Sequence, residues 1–193
     1  CAQIMSGALF DLHVVVDWSA AATPKTGKDS LWIAAYGADR LHVTNPATRA
    51  EAMRELTDIL DAASTKNQRV FIGFDFAFGY PEGLSKALGP HADWRDVWAT
   101  IANEIEDADD NTNNRFDAAA RLNQMFAAEG PFWGNGLKRD IDGLPRTKPQ
   151  GWSDSLPVNQ RAAEACANNA QEVWKLSGVG SVGGQALTGI ARL

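Results

Sequence analysis

The sequence predicts an α/β protein with a mixed sheet, and two of its apolar runs end in an aspartate. The run from His13 to Val16 leads into Asp17, and the run from Val70 to Phe74 leads into Asp75. Two further apolar runs and one stretch of helical periodicity lie between them, which gives the element order β-β-β-α-β. The run from Val70 to Phe74 consists mainly of β-branched and aromatic residues, a composition typical of a strand that is covered on both faces.

The first three strands are predicted to form an antiparallel meander. The first is expected over residues 9–18 and the second over 30–37, with Pro24 and Gly27 in the turn between them. A short turn then leads into a third strand over 41–44.

A helix is predicted next, capped by Asn45 with Pro46 in its first turn. Its buried face is marked at helical spacing by Ala50, Met53, Leu56, Leu60 and Ala63. The helix ends near Asn67, before the strand that leads to Asp75. A right-handed crossover through this helix would place the fourth strand beside the first.

This order of elements is the topology of the RNase H-like fold, which sugar kinases and actin-like ATPases share, so topology alone does not choose an activity. Parallel first and fourth strands would bring Asp17 and Asp75 together at their carboxyl ends. Ligands of open α/β sheets usually bind at that edge.

The rest of the chain is expected to complete a single domain over 1–193, with 82–157 as a helical and loop insertion. Within and after it we predict helices around Trp94–Ile105, over 116–128 and over 160–170, and a short strand over 172–176. The acidic stretch 104–114 is interpreted as a solvated connector, and 130–157 as a flap.

Gly178, Gly180 and Gly183 fit G-x-G-x-x-G spacing, the pattern of a dinucleotide-binding turn. Only ten residues follow Gly183, which favours a closely packed turn or a phosphate contact over a dinucleotide site.

Composition narrows the class of function. The 193 residues are 45% hydrophobic with a formal charge of −6, which disfavours a protein that coats nucleic acid by bulk electrostatics. The acidic balance still permits an enzyme that holds nucleic acid or nucleotide through metal ions.

The sequence predicts a cytoplasmic location. It has no apolar run long enough to predict a membrane span, and its N-terminus lacks the layout of a secretory signal. The two cysteines are compatible with a reducing compartment.

Three stretches resemble a bacterial family of predicted RNase H-like nucleases, a domain of unknown function. They read VVVDWSA near the start, IGFDFAFGYP at the fourth strand and GVGSVGGQALTGI near the end, while NNRF and GPFWG resemble a subgroup. The resemblance implies an RNase H-like core with metal-dependent phosphodiester chemistry. It places the first-strand acid at Asp17 and the fourth-strand acid at Asp75, and Glu164 resembles an acidic position in a later helix.

One departure from the family concerns the end of the chain. Members of the family continue past a TGIP-like turn into a further strand and helix with another acid, whereas here the turn reads TGIAR and the sequence stops at Leu193. The resemblance therefore implies one of two alternatives: a C-terminal part of the fold with one more acid lies beyond the 193 residues, or this protein differs from the family at this point.

Paired carboxylates at strand ends are the ligands that two-metal phosphoryl transfer requires. Such a site holds two Mg²⁺ or Mn²⁺ ions about 3.5–4 Å apart, and these ions prefer hard oxygen ligands. Asp17 and Asp75 would share a metal, and we favour Glu164 over Glu51 as the third ligand. Arg161 and Arg146 are the candidate contacts to substrate phosphate.

Structural roles are the alternatives for the same residues. Asp17 would then start a turn with Ser19, Asp75 would cap the segment after its strand, and the arginines would form ordinary ion pairs. Two further functions stay open: an ATP-binding phosphotransferase, disfavoured by the single glycine in the β1–β2 turn, and a non-catalytic scaffold, for which Asp17 and Asp75 should lie far apart.

Overall fold

The computed structural model describes residues 9–126, 130–152, 156–167 and 170–193. These residues form two compact units. Of the described residues, the first unit comprises those from 9 to 75 together with Asp109–Asn111, and the second comprises Phe76–Ala108 and those from Thr112 onwards. A single domain with an insertion over 82–157 stays a prediction.

One mixed four-stranded sheet forms the first unit, in the order β3-β2-β1-β4. Its strands are β1 (Leu12–Asp17), β2 (Trp32–Gly37), β3 (Arg40–Thr44) and β4 (Val70–Phe74). β2 pairs antiparallel with both β1 and β3, whereas β4 pairs parallel with β1. The predicted α/β class, the meander and the parallel pairing of the first and fourth strands are confirmed, with β1 and β2 shorter than predicted.

Alternation along the strands gives this sheet a buried face and an exposed face. Val14 and Val16 of β1 and Ile33 of β2 are almost fully buried. On the other face Val15 is 56% exposed and Phe71 of β4 is 45% exposed. The prediction that the fourth strand is covered on both faces is therefore wrong for the described residues, because a hydrophobic run does not reveal which of its side chains face water.

Helix α1 (Arg49–Thr65) joins β3 to β4 and begins later than predicted. Its cap is Thr48, whose hydroxyl accepts from the Glu51 N–H at 3.1 Å while the Glu51 carboxylate accepts from the Thr48 N–H at 3.2 Å. This reciprocal capping box fixes the start of the helix. Asn45, the predicted cap, instead accepts from the Gly27 N–H at 2.6 Å and so braces the β1–β2 turn. Leu60, assigned to the buried face, is exposed.

Five helices lie among the described residues of the second unit. They are α2 (Leu84–Leu88), α3 (Trp94–Glu104), α4 (Arg115–Asn123), α5 (Ala162–Ala165) and α6 (Gly183–Ile190). Helix α3 matches the predicted apolar stripe only in part, because Val97 and Ile101 are buried whereas Trp94 is exposed. No helix among the described residues of the chain is long and apolar enough to cross a membrane.

Helix α4 is shorter than the predicted 116–128, of which residues 127 and 128 lie outside the described residues. Its last residue, the buried Asn123, accepts from the Phe132 N–H at 2.9 Å and donates to the carbonyls of Phe132 and Gly143 at 2.9 and 2.8 Å. Asparagine side chains that bond to backbone compete with continued helix. The network therefore anchors the following loop at the point where the helix ends.

The segment before α6 is less regular than predicted. A helix over 160–170 reduces to α5, with residues 168 and 169 outside the described residues, and no strand forms over 172–176. Lys175 makes a single parallel bridge to Trp133, and its N–H closes a turn onto the Glu172 carbonyl at 3.2 Å. Because the backbone turns at Glu172–Lys175, too few consecutive residues are extended to form the predicted strand.

Close contacts explain two glycines near α6. A Cβ at Gly183 would collide with the carbonyl oxygens of Val173 and Lys175, and one at Gly189 would collide with the ring of Phe76. Gly183 is the last glycine of the G-x-G-x-x-G pattern. The closely packed turn is therefore the alternative that the structure favours for this motif.

Candidate functional site

The carboxyl ends of β1 and β4 bring Asp17 and Asp75 together. The parallel register pairs Val16 with Phe74, and the Asp75 N–H extends the ladder by donating to the Val16 carbonyl at 3.2 Å. Paired strands lie about 4.8 Å apart, so the next residues on each strand are neighbours. The two carboxyl groups are close enough for the charge of Asp17 to raise the pKa of Asp75. The expected meeting of the two acids is observed, and their role as metal ligands stays a prediction.

Asp75 is held from the neighbouring strand. Its Oδ1 accepts a hydrogen bond from the Trp18 N–H at 2.8 Å. Trp18 itself is almost fully buried and its indole contacts the Phe74 ring edge-on, with centroids 6.0 Å apart. The residue that follows one acid thus orients the other, which ties the two carboxyl groups into one rigid arrangement.

The electrostatics of the pair disfavour two full negative charges. Partial burial raises the pKa of Asp75 above its ordinary value, and the charge and hydrogen bond of Asp17 raise it further. The Trp18 N–H opposes this rise because it stabilises the charged carboxylate. Neighbouring carboxyl groups that repel each other favour either a shared proton or a bound cation.

Glu164 lies in the second unit, where it is buried. Its Oε1 accepts from the Arg161 Nε–H at 2.7 Å, and its Oε2 accepts from the Arg161 N–H at 2.8 Å at the start of α5. The predicted third ligand and the predicted phosphate contact are thus paired with each other. Both functional assignments stay predictions, and the described bonds are those of a helix cap.

Arg146, the other candidate phosphate contact, also makes structural bonds. Its guanidinium donates to Asp140 Oδ1 at 2.7 Å and to the carbonyls of Leu137 and Lys138 at 2.8 and 3.1 Å. These bonds hold a loop of the second unit closed on itself. Substrate binding by Arg146 stays a prediction and would require part of this arrangement to open.

Glu51, the alternative third ligand, caps α1 through its carboxylate. Within residues 9–126, 130–152, 156–167 and 170–193, no three histidine, cysteine or acidic side chains are gathered closely enough to hold a metal ion. The pair formed by Asp17 and Asp75 therefore offers two carboxylates to a cation. Water and substrate oxygens commonly complete such a shell.

Sequence reasoning missed a polar cluster in the second unit. Glu172 Oε1 accepts from Lys148 Nζ at 2.6 Å and from Asn159 Nδ2 at 2.8 Å. Glu172 Oε2 and Asn159 Oδ1 are buried and have no hydrogen-bond partner among the residues that the structure describes. The three residues are far apart in sequence and follow no periodic pattern, so no local signal could have identified them.

The fold and the acid pair define a class of protein: an α/β protein with two carboxyl groups at the ends of adjacent parallel strands. The scaffold hypothesis expected these acids to be far apart, and they are neighbours. Searches of protein families, of curated proteins and of solved structures find no match to this chain.

Proposed function

We propose that this protein is a divalent-metal-dependent nuclease or phosphohydrolase with an RNase H-like core, acting on nucleic acid or nucleotide by two-metal phosphoryl transfer. The observation that carries the proposal is the placement of Asp17 and Asp75 as neighbours at the carboxyl ends of the parallel strands β1 and β4. The resemblance of the motifs around both acids to a family of predicted nucleases supports the same class.

The residues fit a hard divalent cation. Two carboxylates on adjacent strands provide anionic oxygen ligands on a rigid base, which Mg²⁺ and Mn²⁺ prefer. The raised pKa of Asp75 reflects mutual repulsion and burial that a cation would relieve. When bound, the metal ions would activate water and stabilise the leaving oxygen.

The chain's own contribution is positional. The backbone ladder of β1 and β4 fixes the spacing of Asp17 and Asp75, and the Trp18 N–H fixes the orientation of the Asp75 carboxylate. Both acids lie on the exposed face of the sheet, in line with Val15 of β1 and Phe71 of β4. A phosphate group can therefore approach the pair without displacing core side chains.

A cleavage assay with matched variants tests the proposal. Purified protein is incubated with Mg²⁺ or Mn²⁺ and with single-stranded DNA, duplex DNA, RNA, an RNA–DNA hybrid and nucleoside triphosphates. Groups that merely hydrogen-bond to metal ligands are worth about 10- to 100-fold, so Asp75→Asn and Asp17→Asn should each lower the rate by more than about 100-fold. Asp58→Asn is the control, since Asp58 is an exposed acid on α1.

Three results would count against the proposal. Cleavage that survives in both Asp75→Asn and Asp17→Asn would place the chemistry elsewhere. Tight binding of ATP in calorimetry without hydrolysis of any polynucleotide would favour the phosphotransferase. Absence of Mn²⁺ binding by the wild-type protein would favour the scaffold.

A further inference from the structure

Arg49 is a fully buried arginine at the first position of α1. One terminal nitrogen of its guanidinium donates to the carbonyls of Ser19 and Ala21, both at 2.8 Å, and the other donates to the Asn111 carbonyl at 2.9 Å. A charge withdrawn from water is costly unless its hydrogen bonds are satisfied. The planar guanidinium meets this demand by binding several backbone carbonyls in a fixed geometry.

Two of those carbonyls belong to the segment that follows Asp17 and supplies the Trp18 N–H to Asp75. Asp17 ends β1, Trp18 supplies the N–H that holds Asp75, and Ser19 and Ala21 receive the Arg49 bonds directly afterwards. The Ala21 N–H also bonds to Ser19 Oγ at 3.3 Å. Arg49 therefore fixes the backbone one residue beyond the amide that orients the Asp75 carboxylate.

Asn111 holds the same assembly from a distant part of the sequence. Its Oδ1 accepts from the Arg49 N–H at 2.8 Å, and its Nδ2 donates to the carbonyls of Thr23 and Ala47, both at 3.2 Å. It is 3% exposed and has a left-handed backbone with φ of 72°. A buried asparagine in this conformation, bonded on both sides of its amide, is a structural anchor and not part of a solvated connector.

We propose that Arg49 and Asn111 are positioning residues for the acid pair, and that they act by locking the 18–23 segment so that the Trp18 N–H stays aimed at Asp75. The inference deepens the proposed function, on which it rests for its consequence in metal binding. Its structural part concerns the Trp18 amide alone. Neither residue is assigned contact with metal or substrate.

Two variants separate this role from general stabilisation. Arg49→Lys keeps the charge but replaces a planar fork by a single nitrogen, so it cannot bind three carbonyls in the same geometry. Asn111→Gly tolerates the left-handed backbone and keeps the carbonyl, while it removes the side-chain bonds. Arg54→Lys is the matched control, because Arg54 is an exposed arginine on the same helix.

The first readout is amide hydrogen exchange by NMR. In the wild-type protein the Trp18 amide should be as protected as those of Val14 and Val16 in β1. Arg49→Lys and Asn111→Gly should each accelerate exchange at Trp18 by about 10-fold or more relative to those two amides, because local opening now exposes the amide without unfolding the sheet. Arg54→Lys should leave the ratio unchanged.

The second readout is Mn²⁺ affinity measured by calorimetry. Loss of a group that orients a metal ligand commonly costs about 10- to 100-fold, so both variants should bind Mn²⁺ about 10-fold more weakly than the wild-type protein and Arg54→Lys. Equal exchange ratios in the variants, or a wild-type Trp18 amide that exchanges as fast as an open loop, would overturn the inference. If the wild-type protein binds no Mn²⁺ while the exchange ratios still change, the proposed function fails and the positioning role stands.

Discussion

The N–H of Trp18 donates to Oδ1 of Asp75 at 2.8 Å, so the residue that follows one acid of the pair holds the other acid. This bond joins β1 to β4 at the point where their ladder ends. It favours the charged form of Asp75, whereas burial and Asp17 favour the protonated form. The balance between these effects makes the pair sensitive to pH, to substitution and to cations.

Asp75→Asn should stabilise the protein at neutral pH when no divalent cation is present. Because the folded-state pKa of Asp75 is raised above 3.8, the folded chain binds more protons than the unfolded chain between these two values, and stability falls as pH rises through that window. Asparagine removes this loss and still accepts from the Trp18 N–H. The expected gain is about 1 kcal/mol or less, because the site is partly solvated.

Urea unfolding at two pH values measures this gain. The difference between Asp75→Asn and wild type should be largest at pH 7 and should shrink as the pH falls towards 3.8, because Asp75 takes up its proton in the folded chain at a higher pH than in the unfolded chain. A variant that is less stable than wild type at pH 7 would show that the pair is not strained by charge. Asp58→Asn, the same substitution at an exposed position of α1, is measured alongside as the control.

Mn²⁺ should raise the melting temperature of the wild-type protein, and the effect should weaken as pH falls. A ligand that binds only the folded state stabilises it by mass action. Protons compete with the cation for a carboxyl whose pKa is raised, so below that pKa the affinity should fall about 10-fold for each pH unit. Thermal shifts with 1 to 10 mM Mn²⁺ across a pH series test this.

The control for the Mn²⁺ series is Asp75→Asn, which should show little shift at any pH. If that variant is stabilised as strongly as the wild type, the cation binds at another place.

Glu164→Gln should destabilise the second unit by about 1–3 kcal/mol. Gln retains one acceptor oxygen, but its amide nitrogen must then face the N–H or the Nε–H of Arg161. Denaturant unfolding followed by tryptophan fluorescence is the measurement. Glu82→Gln is the control, since the pair between Glu82 and Lys86 is exposed to water and should contribute little to stability. Equal effects of the two variants would contradict the cap described for Glu164.

Gly189→Ala should destabilise the protein by about 1–3 kcal/mol. The new methyl group would overlap the Phe76 ring, and the cost of overpacking exceeds the gain of up to about 1 kcal/mol in helix propensity. Gly79→Ala serves as the control, because no atom of the described residues lies within 4 Å of a Cβ at Gly79. The measurement is the free energy of unfolding of both variants by chemical denaturation. A Gly189→Ala protein that is as stable as Gly79→Ala would contradict the close packing of α6.

The sequence was informative where local patterns and tertiary structure agree. The four strands were recognisable from apolar runs closed by turns, and the placement of β4 beside β1 followed from crossover handedness. The pairing of Asp17 with Asp75 followed from that placement. The start of α1 was predicted three residues too early, because Asn45 followed by Pro46 has the pattern of a helix start, whereas the helix is capped by Thr48 and Glu51.

Other features depend on contacts between distant residues and were not readable. Asn111 makes bonds 62 and 88 positions away in the sequence, and its acidic surroundings gave the misleading impression of a solvated stretch. Residues 160–176 are shaped by turns and by the single bridge to Trp133. Neither case leaves a periodicity of 2 or 3.6 that sequence analysis detects.

The return of the chain to the first unit at Asp109–Asn111 bears on how that unit can be produced. A recombinant fragment that stops at Asp75 would contain all four strands and α1 but would lack the Asn111 groups that bond to Arg49, Thr23 and Ala47. During synthesis on the ribosome, the sheet must likewise wait for more than thirty further residues before this anchor emerges. A fragment that ends directly after β4 would therefore lack the hydrogen bonds of Asn111 that stabilise the first unit.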